Sequence, residues 1–545
     1  MKNISTHNKL IFPLFALLLL SAFMGTAPFR DIYGLEIRNA LFAREMLEDG
    51  ISLIPHVLGK PYPDYPPLYF WLEVLFSLPS GNVSTLSAVA PSAFSALGLV
   101  FFAFLFGREI SPRMGWLSAL ILATFPEFWI NAGTACIDML LAFHVCSALA
   151  CLYFREKCEP AGKKFLWTAA VPVFIFLAFF TKGPIGLVIP AAARGGFLLL
   201  EKRVKSFFLF SLFMAGMTFL CVGCEAWIVW KSGGTDLLRE VIRMQVIGRL
   251  GQKSSQPFWY YIFCILGSAG IWFLFCSPLW RHSAALLREK GMGKMLPGHP
   301  LLRLSLIWFL STFAIFTLAS TRHSRYLLPL YPALAILLAY AAEQILHRDN
   351  PLFPQIWERG LSVLTVIVLV SGIAGAAFYT DHIFVPVILI FIWMIAVSAG
   401  WIAVISLKQR GNRIAGMILL LLFTGLFGAN LLIFPEISRN ASGREFTETV
   451  ESKSDLRLPL VLYNIGSDAD GLKFACYSQR RPSELRFITD AVELENMAMP
   501  YLLIVSRRDK ADLMNIFRNG SIEAVSHGTI RSHHFSAYII RKGEK

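Results

Sequence analysis

The sequence predicts a polytopic α-helical membrane protein of about thirteen transmembrane helices, followed by a small α/β domain outside the cytoplasm. Three observations carry that prediction. The chain of 545 residues is 55% hydrophobic and only 16% charged, with mean hydropathy +0.57; soluble chains carry about 25% charged residues. Apolar runs long enough to cross a bilayer recur from residue 10 to residue 434. Basic residues collect in alternate short connections, as cytoplasmic loops require.

In order, the runs fall near 10–28, 86–107, 115–131, 137–154, 165–181, 185–200, 207–230, 258–280, 302–319, 325–345, 360–379, 382–407 and 413–434. The first lacks a convincing cleavage site and reads as an uncleaved helix. Arg108 and Arg113, Arg155 to Lys164, Lys202 to Lys205, Arg281 to Arg303, Arg348 and Arg359, and Lys408 to Arg413 mark the basic loops. With a cytoplasmic N-terminus and an odd number of spans, every one of them faces the cytoplasm. The other face receives the loop 29–84, the loop 231–257 and the tail. Residues 1–435 thus form the membrane domain and 436–545 an extracytoplasmic domain. In that tail LPLVLYNI, YLLIVS and SAYIIRK read as strands, and ADLMNIFRNG as a helix.

The net charge of +14 is accounted for by this loop bias, which excludes nucleic acid as a partner. The nine cysteines include one closely spaced pair, Cys221 and Cys224 in CVGC, which lies inside an apolar run with no further ligands nearby. All but Cys476 lie in or beside apolar runs, where they serve as small buried hydrophobes.

The stretch from Arg30 to Trp71 is the densest in charge: Asp31, Glu36, Arg38, Arg44, Glu45, Glu48, Asp49, Lys60 and Asp64. Arg38–Asp49 has helical spacing of Ala40, Phe42, Met46 and Leu47, ended by Gly50, and suits a helix lying in the membrane interface. KPYPDYPPLYFW cannot become a regular helix until after Pro67.

The ionisable residues expected on the outer face near the membrane are Asp31, Glu36, Arg38, Asp64, Asp138, Lys182, Arg243, Arg249, Arg322 and Arg325, accompanied by Tyr62, Tyr65 and Tyr326. Carboxylates there can deprotonate or orient an acceptor hydroxyl. Basic residues and tyrosines can bind a phosphate and stabilise it as a leaving group. Nucleotide-sugars are not available on that face, so the natural donor is a lipid-phosphate carrier. Each residue also has a structural reading. Glu36 and Arg38 suit a first helical turn. Asp138 suits a helix start. Lys182 and Arg322 suit interface anchors, and Asp64 a proline turn. His56, His144 and His323 have no metal-spaced partner.

GLEIRNALFAREM followed by YPDYPPLYFW resembles the first extracytoplasmic loop of the membrane glycosyltransferases related to protein O-mannosyltransferases and the lipid A aminoarabinose transferase, a GT-C class. The resemblance continues at ACIDMLLAF, TKGPIGLVIP, the IGRL around Arg249 and RYLLPLYPALAILLA. It implies transfer of a sugar from a polyprenyl-phosphate donor to a lipid, glycan or protein acceptor, with inversion, at an inner membrane. Glu36 and Arg38 match the second carboxylate and the arginine of the family's loop. Asp138 matches its acidic residue opening the fourth span, and Asp64 stands at a Glu position. Lys182, Arg249 and Tyr326 match the donor-lipid site. Three positions depart: Leu35 replaces the leading carboxylate, Tyr65 a lysine, and Val246 a histidine.

The expected catalytic residues are therefore Glu36, Asp138, Asp64 and Asp31, with Glu36 or Asp138 as base. The expected binding residues are Arg38, Tyr62, Tyr65, Lys182, Arg249, Arg322 and Tyr326. No tight metal is expected; a weakly held divalent ion stays open. The rival readings are a transporter or flippase of lipid-linked sugars and a non-catalytic lipid-binding relative.

Overall fold

The computed structural model describes residues 6–158, 161–243, 256–273, 298–346, 355–378, 387–465, 471–506, 516–517 and 520–542. The chain divides into two compact units. The first comprises Met1–Gly25, Asp64–Tyr69 and Pro91–Leu432; the second comprises Thr26–Pro63, Phe70–Ala90 and Ile433–Lys545.

The helices in order are α1 (Thr6–Met24), α2 (Leu35–Asp49), α3 (Leu68–Ser77), α4 (Thr85–Arg108), α5 (Pro112–Ala123), α6 (Pro126–Ala132), α7 (Ile137–Lys157), α8 (Ala161–Lys182), α9 (Ile185–Leu200) and α10 (Val204–Ile242). Then come α11 (Tyr260–Phe273), α12 (Pro300–Leu318), α13 (Tyr331–Leu346), α14 (Gln355–Phe378), α15 (Val387–Ile405) and α16 (Arg410–Gly428). Among the described residues, eight helices are long and apolar enough to cross a membrane, and five shorter apolar helices accompany them. The polytopic helical fold read from the hydropathy is the one observed. The seventh run extends further than expected: α10 continues to Ile242 through a kink at Gly233 and Gly234, the latter at φ +67°. Gly pairs are where such kinks form.

In the first unit α7 packs along α8, and α9 packs on both α8 and α12. Gly186 makes the α8–α9 approach close. A Cβ there would lie 2.3 Å from the Ala178 carbonyl carbon, which only glycine accommodates. Arg194, an arginine inside an apolar run, pairs with Glu156 at the end of α7, and Arg203 joins them at 2.9 Å. It therefore belongs to a helix-end ion network.

The second unit contains α2 and the soluble domain. α2 stops at Gly50, which takes φ +103°, as the sequence predicts. It is buried on most sides, through Glu36, Ile37, Asn39 to Ala43, Glu45 and Met46. A hairpin of β1 (His56–Val57) and β2 (Lys60–Pro61) follows. Its two-residue turn, Leu58 and Gly59, has φ +58° and +73°. Glu45 holds this turn by accepting from both amides.

The soluble domain adds α17 (Phe434–Ser442), α18 (Arg444–Ser452), β3 (Leu460–Tyr463), α19 (Gly471–Tyr477), β4 (Arg486–Ile488), α20 (Ala491–Glu495), β5 (Tyr501–Ser506), β6 (Gly520–Ile530) and β7 (His533–Lys542). The sheet order is β4-β3-β5-β7-β6. β3 runs parallel to β4 and β5, while β7 is antiparallel to β5 and β6. The three expected strands are β3, β5 and β7. The expected helix ADLMNIFRNG lies almost wholly outside the described residues. Val461, Leu503, Val505, Phe517, Tyr538 and Ile540 pack one side of the sheet core.

Candidate active site

In the first unit the site begins at the N-terminus of α7. Ser92 fixes that terminus, because its Oγ accepts from the Cys136 amide at 2.9 Å and bonds the Tyr69 hydroxyl at 2.8 Å. Tyr69 comes from the end of the proline-rich arm. Asp138 thus sits in the first helical turn, where the helix dipole favours a carboxylate. Its side chain is 5% exposed. One carboxylate oxygen receives the Lys182 ammonium; the other meets the Arg325 Nε at 3.2 Å.

Lys182 is the last residue of α8. Gly183, at φ +71°, donates to the Phe179 carbonyl and ends the helix, and Pro184 prevents continuation. The Lys182 ammonium lies 3.9 Å from the centroid of the Tyr326 ring, and the Arg325 guanidinium lies 5.5 Å from it. Arg325 and Tyr326 belong to a 3-10 turn, Ser324–Leu330. Tyr65, on the same arm as Tyr69, interacts electrostatically with Lys182 and Arg325. His323 precedes the turn, its ring 5.2 Å from that of Tyr326. Burial first, then Arg325 and Lys182, hold its imidazole below the ordinary value, so it adds no charge at neutral pH. Two cations share one carboxylate, and the cluster carries net positive charge beside an aromatic face.

Six residues further into α7, His144 bonds the Thr181 hydroxyl at 3.0 Å, fixing the register of α7 against α8. Arg322 stands apart from this cluster. Its two terminal nitrogens donate to the carbonyls of Gln256 and Thr317, at 2.6 and 2.9 Å. Asp64 is half-buried in the turn before α3. Arg249 and Val246 lie outside the described residues.

In the second unit Glu36 is buried and held in two 2.7 Å bonds by Arg30. Arg38 donates to the Tyr62 hydroxyl at 3.1 Å and lies over its ring at 5.5 Å. Leu35, at the first helical position, is 51% exposed. Asp31 accepts from the Ser442 hydroxyl at 2.8 Å and pairs with Arg444 at 3.3 Å. Of the expected site residues, Asp138, Lys182, Tyr326 and Tyr65 therefore come together in the first unit, and Glu36, Arg38, Asp31 and Tyr62 lie in the second.

Three residues stand outside the candidates that the sequence singles out. Arg325 is one of the outer-face charges, and it rather than Arg322 meets Asp138. Arg30 opens the loop and holds Glu36. Glu73 lies inside LYFWLEVLFS, where a lone acid in an apolar helix is itself a signal. No group of three or more metal-ligating side chains occurs among the described residues.

Residues 64–230 match the family model described as dolichyl-phosphate-mannose-protein mannosyltransferase. An undecaprenyl phosphate-alpha-4-amino-4-deoxy-L-arabinose arabinosyl transferase from Edwardsiella ictaluri is 26% identical over 349 residues, covering 63% of this chain and 59% of that protein. Its Serratia proteamaculans counterpart is 24% identical over 400 residues, 69% and 68% of the two chains. The chain spans 59% of the Edwardsiella protein and 58% of the Shewanella sediminis one. The crystal structure of ArnT from Cupriavidus metallidurans bound to undecaprenyl phosphate superposes with TM-score 0.72 over 98% of both chains, at 18% identity. The Archaeoglobus fulgidus oligosaccharyltransferase in its apo form gives TM-score 0.52 over 95% of this chain and 73% of the other, at 12% identity. The resemblance read from the loop motifs is borne out, and the fold is similar to that of the Cupriavidus and Archaeoglobus structures.

Proposed function

We propose that this integral membrane protein transfers a hexose or pentose from a polyprenyl-phosphate donor to a lipid, glycan or protein acceptor. Transfer takes place on the outer face of the inner membrane and inverts the anomeric carbon. The observation that carries this reading is the Asp138 carboxylate shared between Lys182 and Arg325 above the Tyr326 ring. Cations held ready on a carboxylate need no reorganisation to receive a phosphate. As the bond from the anomeric carbon to the phosphate oxygen breaks, its electron pair moves onto that oxygen. Lys182 and Arg325 neutralise the growing charge. The acceptor oxygen attacks from the opposite face.

As its two cations turn to the phosphate, the Asp138 carboxylate is released from their ion pairs. It is then placed to take the acceptor's proton. Glu36 keeps Arg30 and orders the loop. The relatives' names, which specify an undecaprenyl phosphate-linked donor and a dolichyl-phosphate one, support a polyprenyl carrier. Against a transporter stands the pairing of Arg194 with Glu156, which accounts structurally for an arginine inside an apolar run.

The test uses purified protein in vesicles with labelled polyprenyl-phosphate sugar. Lys182→Met and Arg325→Met should each lower transfer by about 100-fold, the scale of losing one charge-stabilising donor. Arg322→Gln should change it by less than about threefold, since each of its terminal nitrogens donates to a backbone carbonyl. Equal activity in all three variants overturns the assignment. Label that crosses the bilayer without joining an acceptor would make the protein a transporter.

A further inference from the structure

α2 carries Glu36 and Arg38, and six residues beyond Arg38, about 9 Å along the axis, comes Arg44. Arg44 belongs to none of the functions assigned so far. Its Nη1 donates to the carbonyls of Ala475 at 3.1 Å, Cys476 at 3.4 Å and Ser478 at 2.8 Å. Its Nη2 donates to Arg480 O at 2.9 Å, and its Nε to Glu48 Oε1 at 2.6 Å. The carbonyls lie at and just beyond the C-terminus of α19, where unpaired acceptors and the negative end of the helix dipole favour a cation.

The segment that receives Arg44 is itself fixed. Glu451 accepts from the Ser478 hydroxyl, from Gln479 N at 2.9 Å and from Arg480 Nη1 at 2.6 Å. The Glu451 and Arg480 side chains are 2% and 5% exposed. Two further bonds tie the approach to α2. Tyr477 donates its hydroxyl to Ile32 O at 2.7 Å, and Ser438 Oγ accepts from Asp31 N at 3.1 Å. The domain therefore grips the chain both before α2 and in its middle, each time through bonds between a side chain and the backbone.

We propose that the C-terminal α/β domain is the mount that positions α2 for sugar transfer, with Arg44 as the positioning residue that couples them. This rests on the transferase reading, since positioning has meaning only if α2, which carries Arg38, serves that reaction. An isolated helix of fifteen residues is marginal in water; the mount gives α2 one orientation. Displacement of an active-site element by about 1 Å costs on the order of 100-fold in rate. The domain thus contributes to turnover without touching substrate.

The experiment uses the full-length protein in nanodiscs, as wild type, Arg44→Gln and Arg44→Lys. Amide hydrogen exchange is followed over 35–49 and, as a folding control, over β3 and β5. Transfer kinetics are measured in parallel. Arg44→Gln should speed exchange in 35–49 by about tenfold, a local opening that leaves the sheet protected. It should lower kcat by at least about tenfold with the donor KM changed less than about twofold. Arg44→Lys, which keeps the charge but not the fork, should recover part of both. Unchanged exchange in 35–49 overturns the mount. Faster exchange with unchanged kcat overturns the positioning role. Absence of transfer by wild type overturns the transferase reading instead, and the exchange arm still decides whether the domain holds α2.

Discussion

The Arg30 guanidinium grips the Glu36 carboxylate through two parallel bonds of 2.7 Å, with side chains 4% and 7% exposed. The Tyr33 amide also points at Glu36 Oε2, at 3.5 Å. A carboxylate so engaged is committed to its pair, and its removal would strand a buried arginine. The pair fixes the backbone from Arg30 to the first turn of α2, immediately ahead of Arg38.

Glu36→Gln should therefore act first on stability. Removing one member of a buried pair costs roughly 3–5 kcal/mol. A fall in Tm is expected, with transfer lost in proportion to folded protein. The double variant Arg30→Met/Glu36→Met should regain most of the stability, since it leaves no uncompensated charge. Wild-type Tm in Glu36→Gln together with abolished transfer would show that Glu36 takes part in the chemistry itself.

Glu73 poses the opposite case. Its side chain on α3 is fully buried, and neither carboxylate oxygen has a hydrogen-bond partner among the described residues. Burial first, and the neighbouring Glu36 second, push its carboxyl well above the ordinary range. An acid whose folded value is raised contributes stability that is full below the unfolded value, about 4.5, and lost as pH rises through the folded value. Tm should thus fall between acid and neutral pH in the wild type. Glu73→Gln should flatten that dependence. Glu73→Met, which removes the unsatisfied oxygens, should raise stability at pH 8 by about 1–3 kcal/mol. A Tm in Glu73→Met lower at every pH would show that the carboxyl has a partner.

The fold was legible because a bilayer imposes long apolar runs and a loop charge bias, both one-dimensional signals. Local stops were legible for the same reason: Gly50 ends α2, and α3 begins at Leu68 just after Pro67. The site was legible only in part. Lys182 and Tyr326 carried recognisable surroundings, but the choice between Arg322 and Arg325 depends on which guanidinium finds backbone carbonyls. That is decided by Thr317, five residues back, and by Gln256, 66 residues away in sequence. Arg44 escaped for a similar reason. Its acceptors are carbonyls some 430 residues away, and backbone acceptors leave no residue-type signature. Asp31, read as a catalytic candidate, is engaged by Ser438, Ser442 and Arg444, none of which composition could pair with it.

Two glycines beside Lys182 separate backbone conformation from packing. Gly183 needs φ +71° but faces open space, whereas Gly186 has no Cβ because the Ala178 carbonyl carbon would be 2.3 Å from it. Asparagine tolerates the left-handed conformation, so Gly183→Asn should keep stability within about 1 kcal/mol and retain transfer. Gly186→Ala must push α9 from α8, and overpacking of this kind costs about 1–3 kcal/mol. Because α8 ends at Lys182, the displacement should also weaken donor binding, read as a raised KM for the polyprenyl-phosphate sugar. Normal KM and Tm in Gly186→Ala would mean that the α8–α9 spacing does not set the position of Lys182.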